Sequence, residues 1–474
     1  MVFSFSDLYG ISPILSVSIT AIAALVVKSA FRKSETAIIV IGIAGILTSM
    51  VFSVLTFSIS STAFNDMVLV GGYASFFDLL FLAAGLLTFL LSESYLKKEG
   101  INFGEFYVLV LLSVAGMMLM GSSADLITLF LGVELMSVCF YVLAGFMRTR
   151  ISSNEAALKY FLLGAFSTGF LLYGIALIYG TTGTTNLLRI ASVRPSASLP
   201  LWYNVGLGLL LIGLAFKVAA VPFHMWAPDV YEGSPTTVSG LMSTGGKAAA
   251  FAAVVLVFAI PMAQHDEHFK FILAVLAAGS MIVGNLFGLA QTNLKRMLAY
   301  SSVAHAGYML IGIASGVSLG QQGILFYLVS YTLTNLGAFG VISILEKESG
   351  GNVTYEEYAG LGSRRPLIAA LMSTFMFSLT GIPPFAGFIG KYYLFTSAVQ
   401  SHMTWLAILG VITSLMSAYY YLRIVVYMYF RDAKGPAEIR VPRLALCSIA
   451  ISAVGIVVLG ILPSLVLNVT QLLF

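Results

Sequence analysis

Fourteen apolar runs separated by short polar breaks occupy most of the chain. They lie at about 11–31, 36–59, 73–96, 106–122, 125–147, 156–180, 201–222, 236–261, 269–290, 298–316, 322–345, 367–398, 405–430 and 442–467. A helix needs roughly 20 such residues to cross the hydrocarbon core of a bilayer. Backbone polar groups in lipid must find partners within their own segment, so each run is predicted to be an α-helix. A membrane β-barrel would show alternating ten-residue segments, and the pattern has none. The predicted architecture is an all-α polytopic membrane protein, with residues 1–474 forming a single membrane domain.

Two runs contain a break. The seventh holds VPFHMW at 221–226 and the twelfth holds PPFAGF at 383–388. Proline has no N–H, so Pro222 frees the carbonyl of Val218, while Pro383 and Pro384 free those of Leu379 and Thr380. Gly381, Gly387 and Gly390 loosen the twelfth helix further. Freed backbone at membrane depth is tolerated only inside protein or beside water, so both breaks predict wet pockets. The breaks are five helices apart. A repeat of five helices inverts its topology in the membrane, as in transporters with broken helices.

Composition agrees with this reading. Of the 474 residues 59% are hydrophobic and 9% charged, against about 25% charged in soluble domains. The mean hydropathy is +0.97. The net charge of +4 comes without a basic cluster, which argues against nucleic acid as a partner. Cys139 and Cys447 both sit in apolar runs and offer neither a disulfide framework nor a four-cysteine iron–sulfur site. MVFSFSDLYG has no basic stretch, so no cleaved signal peptide is expected.

Lysine and arginine set the orientation. The odd-numbered loops hold 17 of the 24 basic residues, Arg32, Lys33, Lys347, Lys434 and Arg440 among them. The even-numbered loops hold Arg189, Arg194 and Lys270. The odd loops are therefore expected in the cytoplasm and both termini on the other side. The seventh loop, 223–234, carries no Lys or Arg and only the acids Asp229 and Glu232. Protons could gather there without first meeting a positive charge, which makes both acids candidate collectors. Tying down the break is the alternative role.

Four basic residues lie within predicted helices: Lys217, Lys247, Lys391 and Arg423. Arg423 is near a helix end and can snorkel to the interface. Glu134 lies near the middle of the fifth run. A charge near the bilayer centre costs about 2.5–3.5 kcal/mol if it faces lipid. The three lysines and the glutamate must therefore face one another, water or freed carbonyls. Glu134 and Lys217 are expected to pair. Burial disfavours an ammonium and a carboxylate favours it, so moving the partner switches a lysine between holding and releasing a proton. His305 can carry protons between such groups, and His224 can do so at the cytoplasmic mouth. The plainer reading is an ion pair that only holds helices together, with His305 a packing residue. Asp78 is open to a neighbouring subunit or a polar helix neighbour. Asp125 reads as a helix N-cap, and His265, His268 and His402 as loop residues. GSSAD, TTGTT and STGG lack the context of a phosphate loop.

The stretch 217–250, KVAAVPFHMWAPDVYEGSPTTVSGLMSTGGKAAA, resembles the antiporter-like, proton-translocating subunits of respiratory complex I (NADH-quinone oxidoreductase). PDVYEGSPT is most similar to the subunit N branch of that family. LGVELMS at 131–137, LAYSSVAHAGYML at 298–310 and TGIPPFAGFIGKYYLF at 380–395 resemble it too. The resemblance implies two inverted repeats, helices 4–8 (106–261) and helices 9–13 (269–430). It implies a midplane relay in which Glu134, Lys217, Lys247 and Lys391 match family positions. It also implies neighbours M and K in the cell membrane, with NADH, FMN, iron–sulfur clusters and quinone in partner subunits and no cofactor here. The runner-up function is a subunit of a multisubunit cation/proton antiporter. A third is a scaffold whose charges only fix packing.

Overall fold

The computed structural model describes residues 4–31, 34–192, 200–262, 267–346, 353–432 and 441–474. Arg32, Lys33, Arg194, Lys347, Lys434 and Arg440, used above for orientation, lie outside these residues, as does His265.

Among the described residues, thirteen helices are long and apolar enough to cross a membrane. They are α1 (Ser12–Ala30), α2 (Glu35–Thr56), α3 (Gly72–Lys98), α4 (Gly104–Gly121), α5 (Leu126–Ala144), α6 (Ile151–Thr182) and α7 (Pro200–Val218). There follow α8 (Thr236–Phe258), α9 (Glu267–Leu289), α10 (Leu294–Ala314), α11 (Ser318–Leu345), α13 (Thr404–Phe430) and α14 (Arg443–Ile461). The twelfth apolar run forms α12 in two halves, Pro366–Thr380 and Ala386–Gln400. Every apolar run thus becomes helix. The hydropathy pattern did not show a hairpin between α2 and α3, in which β1 (Ser61–Ala63) pairs antiparallel with β2 (Val68–Val70). Strands of three residues are too short to display a period. Phe64, Asn65 and Asp66 turn the hairpin with positive φ.

The bundle is centred on α8 and α10. The whole apolar stretch of α8 is buried and 94% of that of α10, against 28% for α1. Helix hairpins at two places close on small residues. A Cβ on Gly116 of α4 would lie 2.5 Å from the Met136 nitrogen of α5. A Cβ on Gly284 of α9 would lie 2.5 Å from the Ala304 nitrogen of α10. Small residues let membrane helices approach this closely.

The two breaks are built alike. Helix α7 ends at Val218, four residues before Pro222 and earlier than the apolar run suggested. Ala219 takes a left-handed conformation with φ +58°. Its N–H donates to Phe216 O (3.0 Å) and that of Ala220 to Ala215 O (2.9 Å). This pair of hydrogen bonds around a left-handed residue is a Schellman cap. At the second break Gly381 has φ +88°. Its N–H reaches Ser378 O (3.1 Å) and that of Ile382 reaches Phe377 O (3.1 Å). Ala219 stands three residues before Pro222, and Gly381 three before Pro384. A left-handed alanine costs about 1–2 kcal/mol that glycine does not. The chain then resumes as short helix Trp226–Gly233 after the first break. Trp226 Nε1 donates to Phe216 O (2.9 Å), and its ring stacks on Tyr160 with centroids 4.5 Å apart.

Candidate functional site

The three intramembrane lysines are all buried, with 6% of Lys217, 2% of Lys247 and 4% of Lys391 exposed. Each ammonium meets a neutral oxygen of another segment. Lys217, in the last turn of α7, donates to Ser137 Oγ of α5 at 2.7 Å. Lys247 follows a π-helical turn, Met242–Gly246, that interrupts the regular winding of α8. Such turns recur at functional sites because they re-aim the next side chain. Its Nζ donates to Ser302 O of α10 at 2.5 Å. Lys391 donates to Leu379 O (2.9 Å), Thr380 O (3.0 Å) and Ser414 Oγ (2.8 Å). Those two carbonyls are the ones that Pro383 and Pro384 were expected to free. Lys391 also lies 5.0 Å from the Tyr308 ring centroid.

His305 is 1% exposed and held at both nitrogens. Nδ1 lies 2.5 Å from the Tyr327 hydroxyl and Nε2 2.9 Å from that of Tyr421. Tyr421 is hydrogen-bonded in turn to Ser301. Both Lys391 and Lys247 act on His305 electrostatically. The carbonyl of Ser302, the His305 ring and the Tyr308 ring follow at steps of three residues on α10, a rise of about 4.5 Å per step. One helix face therefore holds a contact to Lys247, then His305, then a contact to Lys391. The spacing in SSVAHAGYML could have revealed this face. Sequence reasoning missed Ser137, Ser302, Tyr327, Ser414 and Tyr421, because neutral partners carry no composition signal.

Glu134 acts on Lys217 electrostatically but does not close the expected ion pair. Among the described residues Glu134 makes no ion pair within 4.0 Å, and its Oε1 has no hydrogen-bond partner. It lies on the stripe of α5 that exposes Leu131 (56%) and Val138 (53%), while Ser137, one turn on, turns inward to Lys217. Cavities adjoin both breaks, with mainly apolar walls. A cavity of about 800 Å³ opens between the second half of α12 and α13, with Lys391, Thr380 and Ser414 in its wall. Cavities of about 540 and 230 Å³ flank Pro222 and Phe223, but Lys217 lines neither.

The seventh loop is not free of positive charge in space. Asp229 pairs with Lys159 (2.7 Å) and Arg296 (2.6 Å), and Glu232 with Arg296 (3.0 Å). Glu232 also accepts from Asn293 Nδ2 at 3.1 Å. Both acids tie the break to α6 and α10, which corrects their reading as unencumbered collectors. Burial alone would raise the Asp229 carboxyl, but Lys159 and Arg296 outweigh it and hold it below the ordinary carboxylate range. A lowered carboxyl contributes stability above its unfolded value of about 3.9 and loses it as pH falls through the folded value. Asp229→Asn is therefore expected to lower the stability of the detergent-solubilised protein by about 1 kcal/mol at pH 7, the scale of part-exposed pairs. The gap between variant and parent in thermal unfolding should shrink below about pH 4.

The remaining candidates are quickly located. His224 is half-buried, and its Nδ1 has no hydrogen-bond partner among the described residues. Asp78 is 4% exposed inside the bundle, and its Oδ1 has no hydrogen-bond partner among the described residues. Asp125 caps α5 by accepting from Ile127 N at 2.8 Å. His268 and His402 are exposed. The Arg423 guanidinium lies 4.3 Å from the Tyr355 ring centroid.

Two broken helices and a line of buried lysines meeting at a histidine define an antiporter-like membrane subunit. The family described as NADH:quinone oxidoreductase/Mrp antiporter, TM, matches residues 123–417. A protein of Trichlorobacter lovleyi named NADH-quinone oxidoreductase subunit N is 47% identical over 465 residues, 97% of this chain and 96% of that protein. The chain belongs to the NADH-quinone oxidoreductase subunit N family. A chain of respiratory complex I from Thermus thermophilus with bound aureothin superposes with TM-score 0.84 at 37% identity, covering 96% of this chain and 98% of that one. A chain of the Mrp complex from Dietzia sp. DQ12-45-1b shares the fold, with TM-score 0.84 at 24% identity and coverage of 98% and 97%.

Proposed function

We propose that this chain carries protons through the membrane arm of NADH-quinone oxidoreductase by way of Lys247, His305 and Lys391. The observation that carries the proposal is the face of α10. It brings Ser302 O to Lys247, His305 between two tyrosines, and Tyr308 against Lys391. A proton arriving on Lys247 passes to the His305 cluster and on to Lys391. From Lys391 it leaves by the neighbouring cavity of about 800 Å³. Lys217 biases Lys247 by its charge. Glu134 lies part-exposed on the outer face of α5. Bringing it to Lys217 withdraws that bias. Carrying one charge across 100 mV takes about 2.3 kcal/mol, so rearranging single buried charges suffices to gate the step.

In this reading the chain sits between subunits M and K in the cytoplasmic membrane, with both termini on the outer side. NADH, FMN, iron–sulfur clusters and quinone are held by partner subunits, and the redox chemistry takes place there. Relatives named subunit N, at 40–47% identity, support this over the cation/proton antiporter. Purification in mild detergent tests it. Peripheral flavin and iron–sulfur subunits are expected to accompany the chain. Recovery with small membrane subunits alone would replace this reading by the antiporter.

A further inference from the structure

Helix α11 carries a second line of buried polar groups that the relay does not use. Tyr327 holds His305. Tyr331, Asn335, Phe339 and Ser343 follow at steps of four residues, and Glu346 comes three residues later. Each is a surface neighbour of the next, in a row that winds slowly round the helix. The far part of the row packs on α8. A Cβ on Gly240 would lie 3.2 Å from Phe339 Cβ, and Thr236 Oγ1 donates to Glu346 Oε2 at 2.5 Å.

Toward the membrane centre the Tyr331 hydroxyl stands beside Ser302 and Asn335, and the Tyr231 hydroxyl beside Ser302. None of these contacts closes for Ser302 Oγ, Tyr331 OH or either amide atom of Asn335, all buried with no hydrogen-bond partner among the described residues. Each orphaned polar group costs about 1–3 kcal/mol unless something bonds to it. Four converging polar atoms suit bound water, which typically makes about three hydrogen bonds. Ser302 is also the residue whose carbonyl accepts from Lys247.

We propose that waters held by Ser302, Tyr331 and Asn335 load Lys247. An O–H bond of the nearest water breaks as an N–H bond forms on the neutral Lys247 amine, and that water takes a proton in turn from the next one along. Asn335 is thus a positioning residue. The inference rests on the relay role of Lys247.

The test uses Asn335→Leu and Asn335→Ser in the whole complex, with NADH-driven proton pumping and native electrophoresis as readouts. Asn335→Leu is expected to assemble and to slow pumping about two- to tenfold, the rate equivalent of one hydrogen bond. Asn335→Ser should restore most of it. Unchanged pumping in Asn335→Leu, or failure of Asn335→Ser to restore it, overturns the pocket. Should Asn335→Leu not assemble, electron cryomicroscopy of the unmodified complex decides. Water bonded to Asn335 and Ser302 supports the pocket, and its absence overturns it. Normal pumping by Lys247→Met instead sinks the relay itself, whatever Asn335 does.

Discussion

Lys247→Met in the assembled complex is expected to lower proton pumping by about tenfold or more, below what a positioned proton-transfer group commonly contributes. Methionine matches the length of the lysine stem and is at home in a wholly buried helix, so α8 should keep its packing. The substitution removes the hydrogen bond from Nζ to Ser302 O, and with it the group that hands a proton toward His305. Pumping into inverted membrane vesicles and NADH turnover should fall together if transport is coupled to electron flow. Undiminished pumping with full assembly would remove Lys247 from the path. Lost assembly with pumping preserved in the remaining complex would favour a scaffold role for the buried charges.

Gly387→Ala is expected to prevent correct closure of the second break. The added Cβ would lie 1.9 Å from Ser378 O and 2.8 Å from the Ser378 carbonyl carbon. Both are backbone atoms that cannot swing aside, so the two halves of α12 must part. Lys391 would then lose its hold on Leu379 O and Thr380 O. A cost of about 3 kcal/mol or more is expected, at the upper end of overpacking effects. The yield of assembled complex and its thermal unfolding measure this. Gly169→Ala is the control, since a Cβ there meets nothing within 4 Å and alanine favours the helix of α6 by about 0.5–1 kcal/mol. Equal behaviour of the two variants would show that the break tolerates opening.

The apolar runs, the two breaks and the buried lysines were legible along the chain because each is a local property. An apolar run of sufficient length must be helix in lipid, and a proline always removes one backbone donor. The carbonyls predicted free at Leu379 and Thr380 are the ones that Lys391 takes. Partner choice was not local. Helix α5 is apolar all round, so nothing in its sequence says which side faces α7. Its rotation in the bundle turns Ser137 to Lys217 and leaves Glu134 on the outer stripe. The acids of the seventh loop meet Lys159 and Arg296, residues 70 and 67 positions away in the chain.

By itself the sequence determined a membrane protein of fourteen helical segments, with helix breaks at Pro222 and at Pro383–Pro384 and costly charges that must avoid lipid. Those conclusions rest on hydrogen-bond saturation and desolvation, which act residue by residue. Only the tertiary structure decided that Lys247 from α8 and Lys391 from α12 reach α10 on either side of His305, and that Ser302, whose carbonyl takes Lys247, stands beside Tyr331. Such meetings depend on helix rotation and on close approaches such as that of Gly284 to Ala304. Packing of the whole bundle sets those quantities, and no single segment encodes them.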